Sequence, residues 1–408
     1  MHVLARSNSA RFPALTLVVV LLATGWLAGC GTDAPRRPAP QVYAFVSNGG
    51  SHTVTVVDLA TLETVATVPV DYGPSQIRAH PTRPEIYVVA AEADRVDVLD
   101  ARTHQVVARI EVGERPYSLD FSPDGRRAYV ANWDSNTVSV IDCARRQVVG
   151  TVRVGRRPAM ARVTPDGALL VVSNRADSTI SLVATESLKV VETLAVARHP
   201  EALAILPDGS KVFVAATGSA QVSVVDLQRR VLLTNLAVGE APIDLVLKPD
   251  GGELFVANFD SHTITVINTW RNEVTETLPV GRNPVRLLVS ADGEWLYSIH
   301  YGSSVVFVVE VATREVVANI RVGLQPGAGA LTPDESLLLV VHAGSNDMAV
   351  IRPAARALST LLPVGLRPQG VAVKVLPSES TGGSGGTSAG DVLDSQPDAK
   401  LGARRHPA

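Results

Sequence analysis

Val112-Gly113-Glu114-Arg115-Pro116 recurs further along the chain as Val154-Gly155-Arg156-Arg157-Pro158. The last residues of the two copies stand at positions 116 and 158, so the repeat length is 42 residues. A proline keeps this spacing without a slip at Pro74, Pro116, Pro158, Pro200, Pro242, Pro284, Pro326 and Pro368. A fixed period of roughly 20 to 50 residues is the signature of a repeat architecture. The chain is therefore built largely from one structural unit.

A second motif travels with the first and indicates β-structure. Tyr129-Val130-Ala131-Asn132 is matched by Phe255-Val256-Ala257-Asn258 and, more loosely, by Phe45-Val46-Ser47-Asn48. A polar turn and an alternating run such as 137–142 follow it, which predicts strand, turn, strand. Pro-Asp-Gly turns precede this motif in several repeats, beginning at Pro123, Pro165, Pro207 and Pro249. There proline presets the first turn angle and glycine takes the positive φ.

Each repeat reads as four short strands, which we call a, b, c and d. In one copy they are predicted at 118–122, 128–132, 137–142 and 147–154. Four strands in roughly 40 residues are typical of a blade of a β-propeller. An open β-solenoid or a sandwich array is disfavoured, because the period is regular and no capping repeat marks either end.

The ends of the repeat region predict how the ring closes. The region begins at a b strand near Tyr43 and finishes with an a strand at 370–375, with seven complete sets between them. The leftover strands form one more blade, and their pairing removes two open sheet edges. We predict an all-β fold, an eight-bladed propeller of four-stranded blades closed by N-terminal b, c and d strands and a C-terminal a strand. Seven blades are the alternative.

The N-terminus carries an export signal. Arg6 and Arg11 precede an apolar run at 14–23, and Leu27-Ala28-Gly29-Cys30 follows. A basic start, an apolar middle and small residues before the cut define a secretory signal peptide, here 1–29. The last four residues resemble a bacterial lipobox, which implies lipidation of Cys30, and Gly31 after it implies outer-membrane sorting in a Gram-negative host. A plain signal peptide with an incidental cysteine is the alternative.

Composition sets the remaining boundaries. We assign 30–42 to a lipid anchor and proline-rich tether, 43–376 to the propeller, and the Gly- and Ser-rich segment 377–408 to a disordered tail. The net charge of −3 and pI near 6.3 give no global reason to expect nucleic-acid binding. The mature fold has no internal disulfide, because Cys143 is the only cysteine besides Cys30. We expect a monomer.

The b strand 129–132 resembles the motif that names the YVTN family of bacterial β-propeller repeats. The resemblance covers 43–375 and implies the propeller fold, usually with seven blades. The family includes lactonase-like enzymes, haem-binding propellers of the nitrite-reductase type and surface-layer proteins. Because one fold hosts many chemistries, the resemblance does not select a function.

Divergence among the repeats marks candidate binding residues. In strand a, the second and fourth positions after the anchor proline share one side, which we interpret as the side facing the channel. These positions include Arg78, Asp120, Arg162, Asp244 and Arg286. Three arginines could bind a carboxylate or phosphate of an anionic ligand. The alternative, which we favour, is that the two aspartates neutralise the arginines in an ion-paired lining.

Three histidines are further candidates. The last residue of strand b, asparagine in four repeats, becomes His300 and His342 in two adjacent ones. Such a pair could bind a metal or haem iron, but replacement of the asparagine in a structural role is the favoured interpretation. His199, in the loop before Pro200, is a single-ligand candidate or a solvated side chain.

These observations lead to three hypotheses. The first is an exported, lipid-anchored binding or scaffold module, facing the periplasm or the cell surface, with a protein or small anionic ligand at the loop face and channel mouth. The second is a binder of an anionic or haem-like cofactor in the channel, although no cofactor is firmly implied. The third is a lactonase-like hydrolase. Within the predicted propeller, 43–376, the sequence has no Gly-x-Ser-x-Gly, zinc-ligand or phosphate-loop motif, so no catalytic residue is assigned.

Overall fold

The computed structural model describes residues 40–377. The predicted signal peptide, Cys30, nearly all of the tether and the tail from residue 378 lie outside the described residues. Within 40–377 all regular elements are β-strands, apart from turns. This part of the chain has no helix that could span a membrane.

The strands form eight four-stranded antiparallel sheets, the blades of a closed propeller. The a strands are innermost: β4 (Pro74–Ala79), β8 (Pro116–Phe121), β12 (Pro158–Val163), β16 (Pro200–Ile205), β20 (Pro242–Leu247), β24 (Pro284–Val289), β28 (Pro326–Leu331) and β32 (Pro368–Leu376). The b strands follow: β1 (Gln41–Asn48), β5 (Glu85–Ala90), β9 (Arg127–Asn132), β13 (Leu169–Asn174), β17 (Lys211–Ala216), β21 (Glu253–Asn258), β25 (Trp295–His300) and β29 (Leu338–His342).

The c and d strands complete each blade towards the outside. The c strands are β2 (Thr53–Asp58), β6 (Arg95–Asp100), β10 (Thr137–Asp142), β14 (Thr179–Ala184), β18 (Gln221–Asp226), β22 (Thr263–Asn268), β26 (Val305–Glu310) and β30 (Asp347–Arg352). The outermost d strands are β3 (Glu63–Pro69), β7 (Gln105–Glu111), β11 (Gln147–Arg153), β15 (Lys189–Ala195), β19 (Val231–Ala237), β23 (Glu273–Pro279), β27 (Val316–Arg321) and β31 (Ala357–Pro363). We number the blades 1 to 7 from β4 onward and call the sheet of β32, β1, β2 and β3 the closing blade.

The closing blade joins the two ends of the described chain. Its order is β3-β2-β1-β32, and β1 pairs antiparallel with β32 from Gln41 opposite Leu376 to Val46 opposite Val371. The predicted closure and the count of eight blades are confirmed. Pairing β1 with β32 covers the facing edges of these two strands, which would otherwise be open to edge-to-edge association.

Turn chemistry explains why the strands are so regular. In the Pro-Asp-Gly turns, Gly125, Gly167, Gly209 and Gly251 have φ between 69° and 74°, the left-handed region that glycine tolerates best. The aspartate caps the same turn, since Asp124 Oδ1 accepts a hydrogen bond from Arg126 N at 3.0 Å. These turns lie at the face opposite the channel mouth.

The hydrophobic core is divided into eight clusters, one between each pair of neighbouring blades. The largest buried side chains include Tyr87, Phe213 and Phe255 on b strands. Because both faces of each sheet are covered, the b strands are buried almost without interruption. Cys143 is 1% exposed in the cluster between blades 1 and 2, and burial raises the pKa of its thiol to about 11. It is a packing residue.

Candidate functional site

A cavity of about 840 Å³ occupies the channel where the inner strands of all eight blades converge. Ligand sites commonly enclose about 300 to 1,000 Å³, so the space is adequate for a small molecule. The charged residues that line it are Arg78, Arg115, Glu201, Asp244 and Arg286. The channel is therefore the principal candidate site within the described residues.

The first charged group consists of Arg78, Asp120 and Arg162, each the fourth residue after the anchor proline in strands β4, β8 and β12. Asp120 Oδ1 stands 3.5 Å from Arg78 Nη2 and 3.2 Å from Arg162 Nη1. Its other oxygen accepts a hydrogen bond from Val163 N at 3.3 Å. Asp120 and Arg162 are not among the residues lining the cavity, whereas Arg78 is. One carboxylate thus serves two guanidinium groups from the blades on either side of it.

The second charged group consists of Asp244 and Arg286, each the second residue after the anchor proline in strands β20 and β24. Asp244 Oδ1 is 3.4 Å from Arg286 Nη1, and Asp244 Oδ2 accepts a hydrogen bond from Leu287 N at 2.8 Å. Asp244 is only 8% exposed, and this burial raises the pKa of its carboxyl, while Arg286 opposes the shift. Here one carboxylate serves one guanidinium.

Among Arg78, Arg162 and Arg286, Arg78 is the arginine whose positive charge is least neutralised by a carboxylate. It shares Asp120 with Arg162, and its Nε is buried without a hydrogen-bond partner among the described residues. Desolvation, followed by repulsion from Arg162, lowers the pKa of Arg78 to about 10. The side chain therefore stays protonated at neutral pH. Arg286 Nε is likewise buried without a partner in this part of the chain. Buried charged groups ordinarily find partners, so these atoms indicate a place for an acceptor.

The mouth of the channel carries an aromatic and ionic cluster that sequence reasoning missed. The Tyr117 hydroxyl donates to Glu201 Oε1 at 3.2 Å, bridging blades 2 and 4 above blade 3. Glu201 Oε2 also lies 3.4 Å from Arg175 Nε. The rings of Tyr117 and Trp133 are 5.1 Å apart, and the guanidinium carbons of Arg157 and Arg175 are each 5.9 Å from the Trp133 ring. This cluster narrows one side of the opening.

The predicted histidines do not meet in the cavity. His300 is fully buried, its Nδ1 is 2.8 Å from the carbonyl oxygen of Gly281, and burial lowers the pKa of its imidazole to about 4. His342 is also fully buried, and its Nδ1 is 2.6 Å from Asp347 Oδ1. His199 is exposed on the mouth loop and is not among the lining residues.

The histidines stand where other blades use asparagine for a structural purpose. Asn132 Nδ2, for example, donates to Thr137 Oγ1 at 3.0 Å and to Ser139 Oγ at 2.9 Å. His300 and His342 likewise hydrogen-bond within their own blades, to Gly281 and Asp347. Within residues 40–377 no group of three or more His, Cys, Asp or Glu side chains is arranged to hold a metal ion.

The fold and the lined channel define the class: this is a β-propeller with a ligand-sized central cavity. Two family models match parts of the chain. One describes a seven-bladed β-propeller lactonase and matches residues 74–236, and the other describes a YNCE-like β-propeller and matches residues 24–123. These matches support a bacterial β-propeller family, although the present ring has eight blades and not seven. The YVTN repeat type stays a prediction.

Solved structures with the same architecture extend the comparison. The dihydro-heme d1 dehydrogenase NirN in complex with DHE aligns with a TM-score of 0.70 at 17% identity, over 81% of this chain and 74% of that one. Hydrazine synthase of Kuenenia stuttgartiensis aligns at 0.58 and 23% identity, over 69% and 96%. A functionally unknown protein from Desulfotomaculum acetoxidans DSM 771 aligns at 0.59 and 19% identity, over 72% and 99%. At these identities the likeness shows the fold alone. No curated protein matches the sequence.

Proposed function

We propose that this protein is an exported, lipid-anchored binding module that takes a small anion into its propeller channel. The observation that carries the proposal is Arg78. Its guanidinium lines the cavity, shares its carboxylate partner with Arg162, and keeps a buried Nε without an acceptor. A carboxylate or phosphate ligand would supply that acceptor, and guanidinium groups match the geometry of both.

The charge count of the channel supports the same proposal. Arg78, Arg162 and Arg286 pair with Asp120 and Asp244, so three positive charges stand against two negative ones, and the other two lining charges, Arg115 and Glu201, add one of each sign. An ion-paired lining accounts for two of the arginines and leaves one surplus charge. A bound anion of one charge would make the channel neutral, which low-dielectric surroundings favour.

The polarity of the closing blade favours a particular orientation on a membrane. Strand β32 starts near the mouth, where Gln369 lines the cavity, and runs to Leu376, which is paired with Gln41 at the far face. A tether from a lipidated Cys30 would therefore join the propeller at the face opposite the mouth. The 11 residues from 30 to 40 could span at most about 40 Å. In this arrangement the channel opens away from the membrane, into the periplasm or outside the cell.

Anion binding by matched variants tests the proposal. Calorimetric titration with citrate and with aliphatic and aromatic carboxylates should detect binding to the wild type. Replacing Arg78 by alanine should weaken that binding at least tenfold, because a hydrogen bond to a charged group contributes about 1.5 to 3 kcal/mol. Arg271→Ala is the control, since Arg271 is 75% exposed and pairs with Glu273 outside the cavity. Equal affinity in the wild type and Arg78→Ala would end the proposal.

A lactonase-like hydrolase is the second candidate, and the family match over 74–236 favours it. A lactone carbonyl oxygen gains negative charge during hydrolysis, and Arg286 and Arg78 could stabilise that charge from the cavity wall. Purified wild-type protein assayed on a panel of lactones should then show turnover that Arg286→Ala reduces at least 100-fold. A wild type inert across the panel rejects this candidate.

A haem-like cofactor fits the cavity only in part. Arg78 and Arg286 could meet the carboxylates of such a group, but His199, His300 and His342 do not line the cavity. The described residues therefore offer no histidine to an iron atom at this site. Titration of the protein with haem, followed by absorption spectroscopy, decides the matter. A Soret shift that persists in His300→Ala and disappears in Arg78→Ala would support binding through the carboxylates, and an unchanged spectrum would reject it.

A further inference from the structure

The wall of the cavity differs sharply from one side to the other. Residues of blade 7 and of the closing blade contribute only glycine, alanine and short aliphatic or amide side chains to it, whereas blades 1 and 6 on either side contribute arginine and blade 5 contributes aspartate. We call the small-residue part the apolar wall, and it consists of Gly327, Ala328, Gly329, Ala330, Gly370 and Ala372. The cavity is therefore amphipathic.

At Gly327 packing does not require a residue as small as glycine. A Cβ atom built on Gly327 would meet no atom within 4 Å, so this position opens into free space. By contrast, a Cβ on Gly329 would stand 2.6 Å from Ile299 Cδ1 and 3.0 Å from the Leu339 carbonyl oxygen. The corresponding position of blades 4, 5 and 6 carries Glu201, Ile243 and Val285. The space in front of Gly327 is thus left free by the sequence without any steric need.

The apolar wall lies between Arg78 and Arg286, two of the three arginines that line the cavity. Around the ring, blade 6 with Arg286 comes before blade 7, and the closing blade comes before blade 1 with Arg78. Both arginines have a buried Nε without a partner among the described residues. Arg286 is paired with Asp244 at 3.4 Å, whereas Arg78 shares Asp120 with Arg162. An anionic group attached to a body on the apolar wall would therefore bind at Arg78 first.

We propose that the channel ligand is an amphipathic monoanion, a carboxylate on a rigid apolar ring system, with the rings on the apolar wall and the carboxylate at Arg78. This inference rests on the proposed function and narrows its ligand. A monoanion follows from the single surplus arginine of the channel. A ring system follows from the wall, because glycine and alanine expose a flat surface of peptide groups and methyls on which planar rings can pack. A cavity of about 840 Å³ has room for several fused rings.

Three ligands separate this inference from the general proposal. The probes are 2-naphthoate, its neutral alcohol 2-naphthalenemethanol, and citrate, which has charge without an apolar body, each titrated calorimetrically. We expect 2-naphthoate to bind the wild type at least tenfold more tightly than either of the others. Gly327→Leu, which fills the free space, should weaken 2-naphthoate at least tenfold and leave citrate unchanged. Arg78→Ala should weaken 2-naphthoate and citrate alike.

A control variant outside the cavity and a replacement for a variant that fails to fold complete the test. Leu324→Ala alters an exposed side chain of the same blade outside the cavity and should bind like the wild type. If Gly327→Leu does not fold, Gly327→Val takes its place. Binding of citrate through Arg78 without preference for 2-naphthoate would overturn this inference and leave the proposed function standing. Absence of binding by citrate and 2-naphthoate would overturn both. A folded Gly327→Leu that binds 2-naphthoate like the wild type would overturn the inference alone.

Discussion

Gly155 lies directly against the side chain of Asn174, so that a Cβ atom at 155 would stand 2.6 Å from Asn174 Cγ. Asn174 is fully buried and its Nδ2 donates to Thr179 Oγ1 at 3.0 Å and Ser181 Oγ at 2.9 Å. The same contact joins Gly113 to Asn132, Gly239 to Asn258 and Gly365 to Asn48. Where the asparagine is replaced by alanine, at positions 90 and 216, the glycine is replaced as well, by Asp71 and Ala197. The two positions form one interlock between a mouth loop and its blade.

This interlock predicts non-additive stability. Gly155→Ala should lower the free energy of unfolding by about 1 to 3 kcal/mol through overpacking. Asn174→Ala should lower it by a similar amount through lost hydrogen bonds. The double variant reproduces the Ala197 and Ala216 pair of blade 4, so it should cost at least about 1 kcal/mol less than the sum of the single changes. Urea unfolding of the four proteins measures the coupling, and strict additivity contradicts the interlock.

Asp97 predicts a pH-dependent stability. Its side chain is fully buried next to Asp71, and desolvation is the main cause that raises the pKa of Asp97 to about 6. Arg109 Nε, 3.9 Å away, lowers it only in part. The folded state thus binds a proton more readily than the unfolded chain, whose aspartates titrate near pH 4. Asp97 contributes stability that is fully present below about pH 4 and is lost as the pH rises through about 6.

Asp97→Asn isolates this effect, because an amide resembles the protonated carboxyl. Asp97 Oδ2 accepts a hydrogen bond from Asp71 N at 2.7 Å, which the amide oxygen can keep. We expect the variant to be more stable than the wild type at pH 7.5 by about 2 kcal/mol, and the difference to vanish near pH 4. Thermal or urea unfolding between pH 4 and 8 gives the two curves. Parallel curves would contradict the assignment.

The closing blade predicts which truncations the fold tolerates. Ending the chain after Arg367 removes β32, exposes the edge of β1 and uncovers parts of two core clusters that include Ala372 and Val371. This variant should lose cooperative unfolding. Ending the chain after Pro377 keeps all of β32 and should leave the melting temperature unchanged. Calorimetry of both truncations makes the comparison, and a cooperative transition in the shorter chain would show that closure is dispensable.

The proposed lipidation of Cys30 predicts membrane association that one substitution removes. In a bacterial host the wild type should incorporate labelled palmitate and partition into the detergent phase of Triton X-114. Cys30→Ser should do neither and should appear in the soluble fraction. Cys143→Ser is the matched control, since Cys143 is buried in the propeller. Detergent partitioning of the Cys30→Ser protein equal to that of the wild type would remove the anchor from the proposal.

Most of the fold could be predicted from the sequence, because the same strand and turn patterns, each weak by itself, recur at a fixed spacing around the ring. The c strand at 137–142 is observed as predicted, and the a strand predicted at 118–122 is observed at Pro116–Phe121. The difference arises because the sheet register carries pairing back to the proline, across a bulge between Pro116 and Ser118. Local alternation alone does not reveal that pairing.

Sequence analysis could identify site residues only at positions that the repeat pattern defines. Alternation along strand a identified five charged residues as a set, of which Arg78, Asp244 and Arg286 line the cavity and Asp120 and Arg162 do not. The Tyr117 to Glu201 contact was missed, because these residues are two repeats apart and meet only through the curvature of the ring. The Gly155 to Asn174 interlock was open to discovery, since the two positions change together among the repeats.

Anomalous scattering from a bound ligand shows whether the channel holds an anion at Arg78. Crystals of the protein grown with 6-bromo-2-naphthoate, measured at the bromine absorption edge, locate the ligand without ambiguity. We expect an anomalous peak inside the channel, over Gly327 and Ala328, with the carboxylate within hydrogen-bond distance of the Arg78 guanidinium. A peak on the outer surface only, or a carboxylate away from Arg78, contradicts it.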